Sequence, residues 1–169
     1  MNGNESEAPA LKRAVAFVAT GFGLGYSPVA PGTVGSVWGV VIVLGMAALE
    51  LDLWRFIVMC VGLTLIAIPM CGIAEQVFQK KDDRRIVADE YMTFPICMIG
   101  LPVSLEYWWV LPLAFCTNRF FDILKLPPAR QFERIRGGAG ITLDDAAASV
   151  YSLGANWAVF WVATTYLGF

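Results

Sequence analysis

Charged residues in this chain are confined to short segments that separate long uncharged ones. Five runs contain no Asp, Glu, Lys or Arg: residues 14–49, 56–74, 91–105, 107–118 and 146–169. About 20 apolar residues of helix cross the hydrocarbon of a bilayer, so runs of this length point to lipid. Composition agrees. The 169 residues are 57% hydrophobic and 15% charged, whereas a soluble domain carries about 25% charged residues. A water-soluble globule of this make-up would have too few polar groups to cover its core. The expected fold is all-α, a polytopic transmembrane helical bundle of about four to five spans with irregular Gly/Pro-rich cytoplasmic loops. Residues 1–10 read as a flexible tail and 11–169 as a single membrane-embedded domain.

The placement of the cations sets an orientation. In the topology that puts Glu50, Asp52 and Glu106 outside, eleven of the twelve Lys and Arg residues lie on the other side, and Arg55 is the exception. Basic loops stay cytoplasmic. The polar clusters are therefore expected to face the cytoplasm. With a net charge of −2, nothing suggests a nucleic-acid partner, and no protein partner is implied. Lys12 and Arg13 before an apolar stretch resemble a signal peptide superficially, but Glu5 and Glu7 spoil the basic segment and glycines interrupt the apolar one. The four cysteines lack any CxxC pair and read as buried thiols. The chain has no histidine, which excludes any mechanism built on an imidazole.

Along the chain, a short apolar helix is expected over 14–20. Residues 21–36 hold five glycines and two prolines, too many for regular helix. Irregular backbone near a membrane persists only where protein or a wet cavity satisfies it, so this loop is expected to line a cavity. Spans are expected over 34–49, over 56–74 with a kink at Pro69, over about 89–102, over about 107–125 and over 146–169.

Four polar groups fall at the ends of these spans. Asp89 and Glu90 open the third. Side chains one residue apart on a helix diverge by about 100°, so both can face one cavity, although helix N-termini favour carboxylates anyway. Arg119, Asp122 and Lys125 stand three apart, on a shared face, either as an intrahelical ion-pair ladder or as a site. Residues 137–145 read as a glycine-rich turn whose amides suit a phosphate, leading into Asp144 and Asp145. Carboxylates from several helix ends suit a hard cation such as Mg²⁺, and Arg with Lys beside them suits a phosphate. Asp89, Glu90 and Asp144 are the expected metal ligands, with Asp145 and Asp122 as further candidates. Arg119 and Lys125 are the expected phosphate contacts, helped by the Thr33 and Ser36 hydroxyls and by the amides at Gly32 and Gly138. Together they suggest metal-assisted chemistry on a phospholipid headgroup.

Four motifs carry a family resemblance over almost the whole chain. They are Gly21-Phe22-Gly23-x-Gly25-x-x-Pro28-x-Ala30-Pro31-Gly32-Thr33-x-Gly35-Ser36; Ile86-Val87-Ala88-Asp89-Glu90; Arg119-Phe-Phe-Asp122-Ile-Leu-Lys125 with Pro128; and Gly137-Gly138-x-Gly140-Ile141-x-x-Asp144-Asp145 with Ala148. The chain resembles the phosphatidylglycerophosphatase A family of small membrane lipid phosphatases. The resemblance implies Mg²⁺-dependent removal of the terminal phosphate of phosphatidylglycerophosphate at the bacterial inner membrane. It also implies that Asp89, Glu90, Asp122, Asp144 and Asp145 are the acidic site residues, Asp89, Glu90, Asp144 and Asp145 among them holding metal. The chain departs from the family's usual residues at Thr93, Leu126, Glu133, Thr142 and Ser149.

Attack by water and an aspartyl-phosphate route both fit these residues. A CDP-alcohol phosphotransferase also uses clustered Asp at the membrane surface, but its spaced Asp-Gly and Ala-Arg pattern is missing here. A cation transporter would need carboxylates deep within its spans, whereas here they sit at span ends.

Overall fold

The computed structural model describes residues 9–132 and 134–168. The tail up to residue 8 and Glu133, one of the departures noted above, lie outside the described residues. Every regular element described is helical. The first helix, α1 (Ala10–Ala19), is followed by a 3₁₀ turn at Leu24–Tyr26, then α2 (Pro31–Gly35) and α3 (Val37–Ala48). Next come α4 (Leu53–Phe78) and α5 (Ala88–Thr93), which continues as a 3₁₀ segment, Phe94–Met98. The chain then forms α6 (Val110–Leu124), α7 (Ala129–Phe132) and α8 (Gly138–Val162), and a π-helical turn at Ala163–Leu167 closes it.

Two stretches are long and apolar enough to cross a membrane, Pro31–Ala48 and Leu53–Phe78. That is fewer than the four to five expected. Helix α4 is capped by the Asp52 carboxylate, which accepts from the Arg55 amide at 2.8 Å, and it runs through Pro69 to a left-handed Gln79. Only 17% of its most apolar stretch is buried inside the protein. The core helix of a soluble protein would be mostly covered. Val58, Val61, Leu65 and Ile66 instead face outward, as do Val37, Val41 and Leu44 on α3. Apolar surface of this extent on two adjoining helices marks membrane association.

The expected third span is not a span. Helix α5 and its 3₁₀ extension together hold eleven residues, about 20 Å at most against the ~30 Å of hydrocarbon. Pro95 falls at the switch to 3₁₀ geometry. The segment is covered by protein instead: Phe94, Cys97 and Met98 are buried with Val43 of α3 and with Val110 and Ala114 of α6. The glycine-rich stretch from Gly138 is corrected as well. It is not a turn but the first two turns of α8. A Cβ at Gly138 would overlap the Ile68 carbonyl of α4, and one at Gly140 would overlap the Ile135 carbonyl. These glycines serve close packing rather than chain reversal.

Helix α8 is the central element, packed against α4, α5, α6 and α7. Its inward face carries Ser149, Ser152 and Asn156, all fully buried. Thr117 Oγ1 of α6 lies 2.7 Å from both Ser152 Oγ and Asn156 Oδ1. Asn156 Nδ2 donates to the Cys97 carbonyl at 3.0 Å. This network fixes the register of α6 on α8 and ties the 3₁₀ segment to both. Three cysteines are buried as expected, but Cys116 is exposed. It belongs to the outward stripe of α6, with Phe120 one turn on.

The segment between α4 and α5 is clamped by charge. Asp83 is buried and lies 2.9 Å from Arg85 Nε, and the Arg85 guanidinium stacks on the Phe78 ring at 4.0 Å. Burial pushes the Asp83 carboxyl up, but the Arg85 side chain and amide, with Lys80 nearby, outweigh it and hold the carboxyl below its ordinary value.

Two outcomes follow from these contacts. Replacing Asn156 with Ala strands the Cys97 carbonyl and should cost about 1–3 kcal/mol of stability. Thermal unfolding in detergent reads this, and an unchanged melting temperature would show that the network carries no stability. For Asp83, a lowered folded value means a contribution that is complete above the unfolded value of about 3.9 and is lost as pH falls through the folded one. An acid titration of unfolding should therefore be flatter below about pH 4 in Asp83→Asn than in the wild type.

Candidate active site

Three helices deliver the site to one end of the bundle. Asp89 and Glu90 sit in the first turn of α5, Arg119 and Asp122 in the last turns of α6, and Asp144 and Asp145 in the second turn of α8. Lys125 follows α6 in a left-handed conformation, φ 47°. Of the two readings of these residues, ladder or site, the Arg119–Asp122 rung forms, but the chain turns before the next one and Lys125 pairs across to α8.

Arg119 is the organiser. Its Nη1 lies 2.9 Å from Glu90 Oε2 and its Nη2 3.0 Å from Asp122 Oδ2. The same guanidinium donates to Ser36 Oγ at 3.3 Å, and its buried Nε has no partner among the described residues. Lys125 Nζ lies 3.1 Å from Asp144 Oδ2. Asp145 approaches Asp122 within hydrogen-bond range and also faces Asp89 and Asp144.

The loop residues fall into separate roles. Ser36 is fully buried, with Oγ 2.9 Å from both Glu90 Oε2 and the Gly32 carbonyl. It holds Glu90 from behind. Gly32 lies flat against the same carboxylate, so that a Cβ there would overlap Glu90. Thr33 is half-buried on α2. Gly138 is packed into the α4–α8 crossing. Gly32 and Ser36 thus bring the glycine-rich loop against a site carboxylate, and the loop's irregular backbone is tied down by Trp38 Nε1, which donates to the Gly21 carbonyl at 3.1 Å.

Two of the departures also touch the site. Thr93 Oγ1 donates to the Asp89 carbonyl at 2.7 Å, and Ser149 Oγ lies 2.9 Å from Asn118 Oδ1. Asp82 was missed by the sequence reading. It is exposed, yet close enough to Asp89 and Asp144 to repel both. Its positive φ of 47° is not visible in composition.

The centre has more carboxylates than cations. Asp89 Oδ1 and Asp145 Oδ2 are buried and have no hydrogen-bond partner among the described residues. Buried carboxylate oxygens are rarely left so, and carboxylates this close repel unless a proton or a cation lies between them. Among the described residues, no three Asp, Glu, Cys or His side chains are already gathered as a cation cage. The chemistry of the donors nevertheless fits a hard divalent cation, which takes oxygen ligands.

Carboxylates interleaved with an Arg and a Lys, at the end of a membrane-associated bundle, have the chemistry to handle a phosphate ester. The model of the family described as "Phosphatidylglycerophosphatase A" matches residues 17–160, and the chain belongs to that family and is a phosphatase. Phosphatidylglycerophosphatase A of Haemophilus influenzae is 34% identical over 155 residues, 90% of this chain and 93% of its own. That of Escherichia coli is 35% identical over 141 residues, 81% and 78%. A protein of Bacteroides thetaiotaomicron named "Putative phosphatidylinositol-3-phosphatase" is 33% identical over 138 residues, 80% and 86%. No solved structure matches at a significant level.

Replacing Gly32 with Ala should displace the Glu90 carboxylate and lower kcat by about 100-fold while the protein still folds, since small misplacements at a reacting centre cost that much. Full turnover in a folded Gly32→Ala protein would show that the position of Glu90 does not matter.

Proposed function

We propose that the protein removes the terminal phosphate of phosphatidylglycerophosphate, with Mg²⁺, at the cytoplasmic face of the bacterial inner membrane. The observation that carries this reading is the pair of partnerless buried oxygens on Asp89 and Asp145, set beside the two cations Arg119 and Lys125. The relatives from Haemophilus influenzae and Escherichia coli support the substrate. The relative from Bacteroides thetaiotaomicron supports a wider class. Both names denote lipids whose headgroup carries a phosphate monoester beyond the diester that joins it to the glycerol.

Asp89 and Asp145 would hold the metal, with Glu90 and Asp144 completing its oxygen shell. A cation bound there stabilises charge on the phosphate. Arg119 binds the equatorial oxygens of the monoester, with its Nε available as a donor, and Lys125 stabilises the same charge from the mouth. Ser36 and Gly32 keep Glu90 in place. Asp122 orients Arg119 through their ion pair. Burial of the carboxylates excludes bulk water and strengthens each of these interactions. The apolar stretches Pro31–Ala48 and Leu53–Phe78 anchor the bundle in the bilayer and leave the centre at headgroup level, where a lipid phosphate meets it. All but one of the basic residues lie in segments bordering this end, which supports a cytoplasmic orientation.

Purified protein in detergent should release inorganic phosphate from phosphatidylglycerophosphate with Mg²⁺ and stop on chelation. Asp89→Asn should abolish release, and a near wild-type rate in that variant would remove Asp89 from the mechanism.

A further inference from the structure

Beside the acidic centre lies a second cleft of opposite character. It has a volume of about 520 Å³ and is lined by Lys81, Lys125, Arg130 and Arg134 together with Ile123 and Leu124. None of the described residues lining it is acidic. The volume falls in the range of about 300–1,000 Å³ typical of small-molecule sites. We propose that this cleft binds the phosphodiester of the same lipid whose terminal phosphate occupies the acidic centre, and so selects headgroups that carry two phosphates. This assignment rests on the phosphatase reading above.

Three observations carry it. The first is electrostatic. The α4–α5 segment, the end of α6 and the α7 region bring four cations to one cleft, and a basic lining of this kind attracts an anion even with Lys125 already paired to Asp144. Arg130 belongs to α7 and Arg134 to the turn after it, where Arg134 N donates to the Gln131 carbonyl at 3.3 Å and Ile135 N to the Phe132 carbonyl at 2.8 Å. Guanidiniums suit phosphate oxygens.

The second observation is continuity. Lys125 lines the cleft and also contacts Asp144 at 3.1 Å, so the two sites share a wall. The two phosphates of the proposed substrate are joined through one glycerol, and sites that share a residue could take one phosphate each.

The third is the apolar rim. Phe120, Ile123 and Leu124 are exposed on α6 and lead from the outward face of the bundle to the cleft. A soluble phosphate compound would gain nothing from this stripe. A phospholipid would lay its chains along it and bring its phosphodiester to the arginines.

The test uses the whole protein in uncharged detergent and two readouts. The first is equilibrium binding of phosphatidylglycerol, whose only phosphate is the diester. The double variant Arg130→Gln/Arg134→Gln should weaken it by about tenfold, and Lys81→Gln, from the opposite wall, by about threefold. Unchanged affinity in both variants, with wild-type melting temperatures, would overturn the proposal. The second readout is turnover. In micelles whose only anionic lipid is phosphatidylglycerophosphate, the double variant should raise KM by about tenfold and leave kcat within about twofold. Hydrolysis of phosphatidic acid, which lacks the diester, should not change. If the defect appears only when a second anionic lipid is added, the cleft serves a neighbouring lipid and the assignment to substrate fails. If the wild type releases no phosphate but binds phosphatidylglycerol through these arginines, the phosphatase reading fails and the cleft stands.

Discussion

Five carboxylates and two cations from three helices share one volume largely closed to water. Isolated charges in such a place cost several kcal/mol each, and their pairing must be geometrically good to recover that. Arg119 bridges Glu90 of α5 and Asp122 of its own helix, and Lys125 reaches Asp144 of α8. Those contacts account for three carboxylates. Asp89 and Asp145 are left with oxygens that have no hydrogen-bond partner among the described residues, an imbalance that the proposed Mg²⁺ would offset. Much of the molecule can be understood as the structure needed to keep this imbalance in place.

The scaffold works by packing and by neutral polar bonds. The glycines at the start of α8 let it lie close against α4. Deeper in the bundle, Thr117, Ser152 and Asn156 satisfy one another and the Cys97 carbonyl, so α6 and α8 cannot slide without stranding buried polar groups. Ser149 and Asn118 repeat the device nearer the site. Because register along α6 and α8 decides whether Lys125 meets Asp144, these bonds belong to the site as much as to the fold.

Charge was the legible part of the sequence. Asp89, Glu90, Arg119, Asp122, Asp144 and Asp145 stood out because long uncharged runs isolate them, and the structure brings them together. Backbone shape was less legible. Residues 89–102 have the composition of a span, yet Pro95 and the switch to 3₁₀ geometry shorten them into a covered plug. Residues 138–145 have the glycines of a turn, yet those glycines mark close helix contact. Glycine signals both, and only the partner chain segment, Ile68 to Gly72 here, tells them apart. Cys116 looked like its three buried counterparts because an apolar run shows no period that separates the inward from the outward face. Ser36 was legible as polar but not as a support for Glu90, since that contact spans 54 residues of sequence.

The position of the charges along the helices also decides between chemistry and transport. A cation path would need ionisable or hydrated groups continuing from the site to the opposite end of the bundle. Beyond the carboxylates the interior holds Thr117, Ser152 and Asn156, which are neutral and bonded to one another. Around them packs an apolar cluster of Val43, Phe94, Met98, Val110 and Ala114, all essentially inaccessible. Arg55 and Asp52 at the far end pair with each other on the surface. An ion entering at Asp144 would meet dry, close-packed side chains with no ligand to replace its water. In the proposed function, the charged end of the bundle is the one that a lipid phosphate reaches.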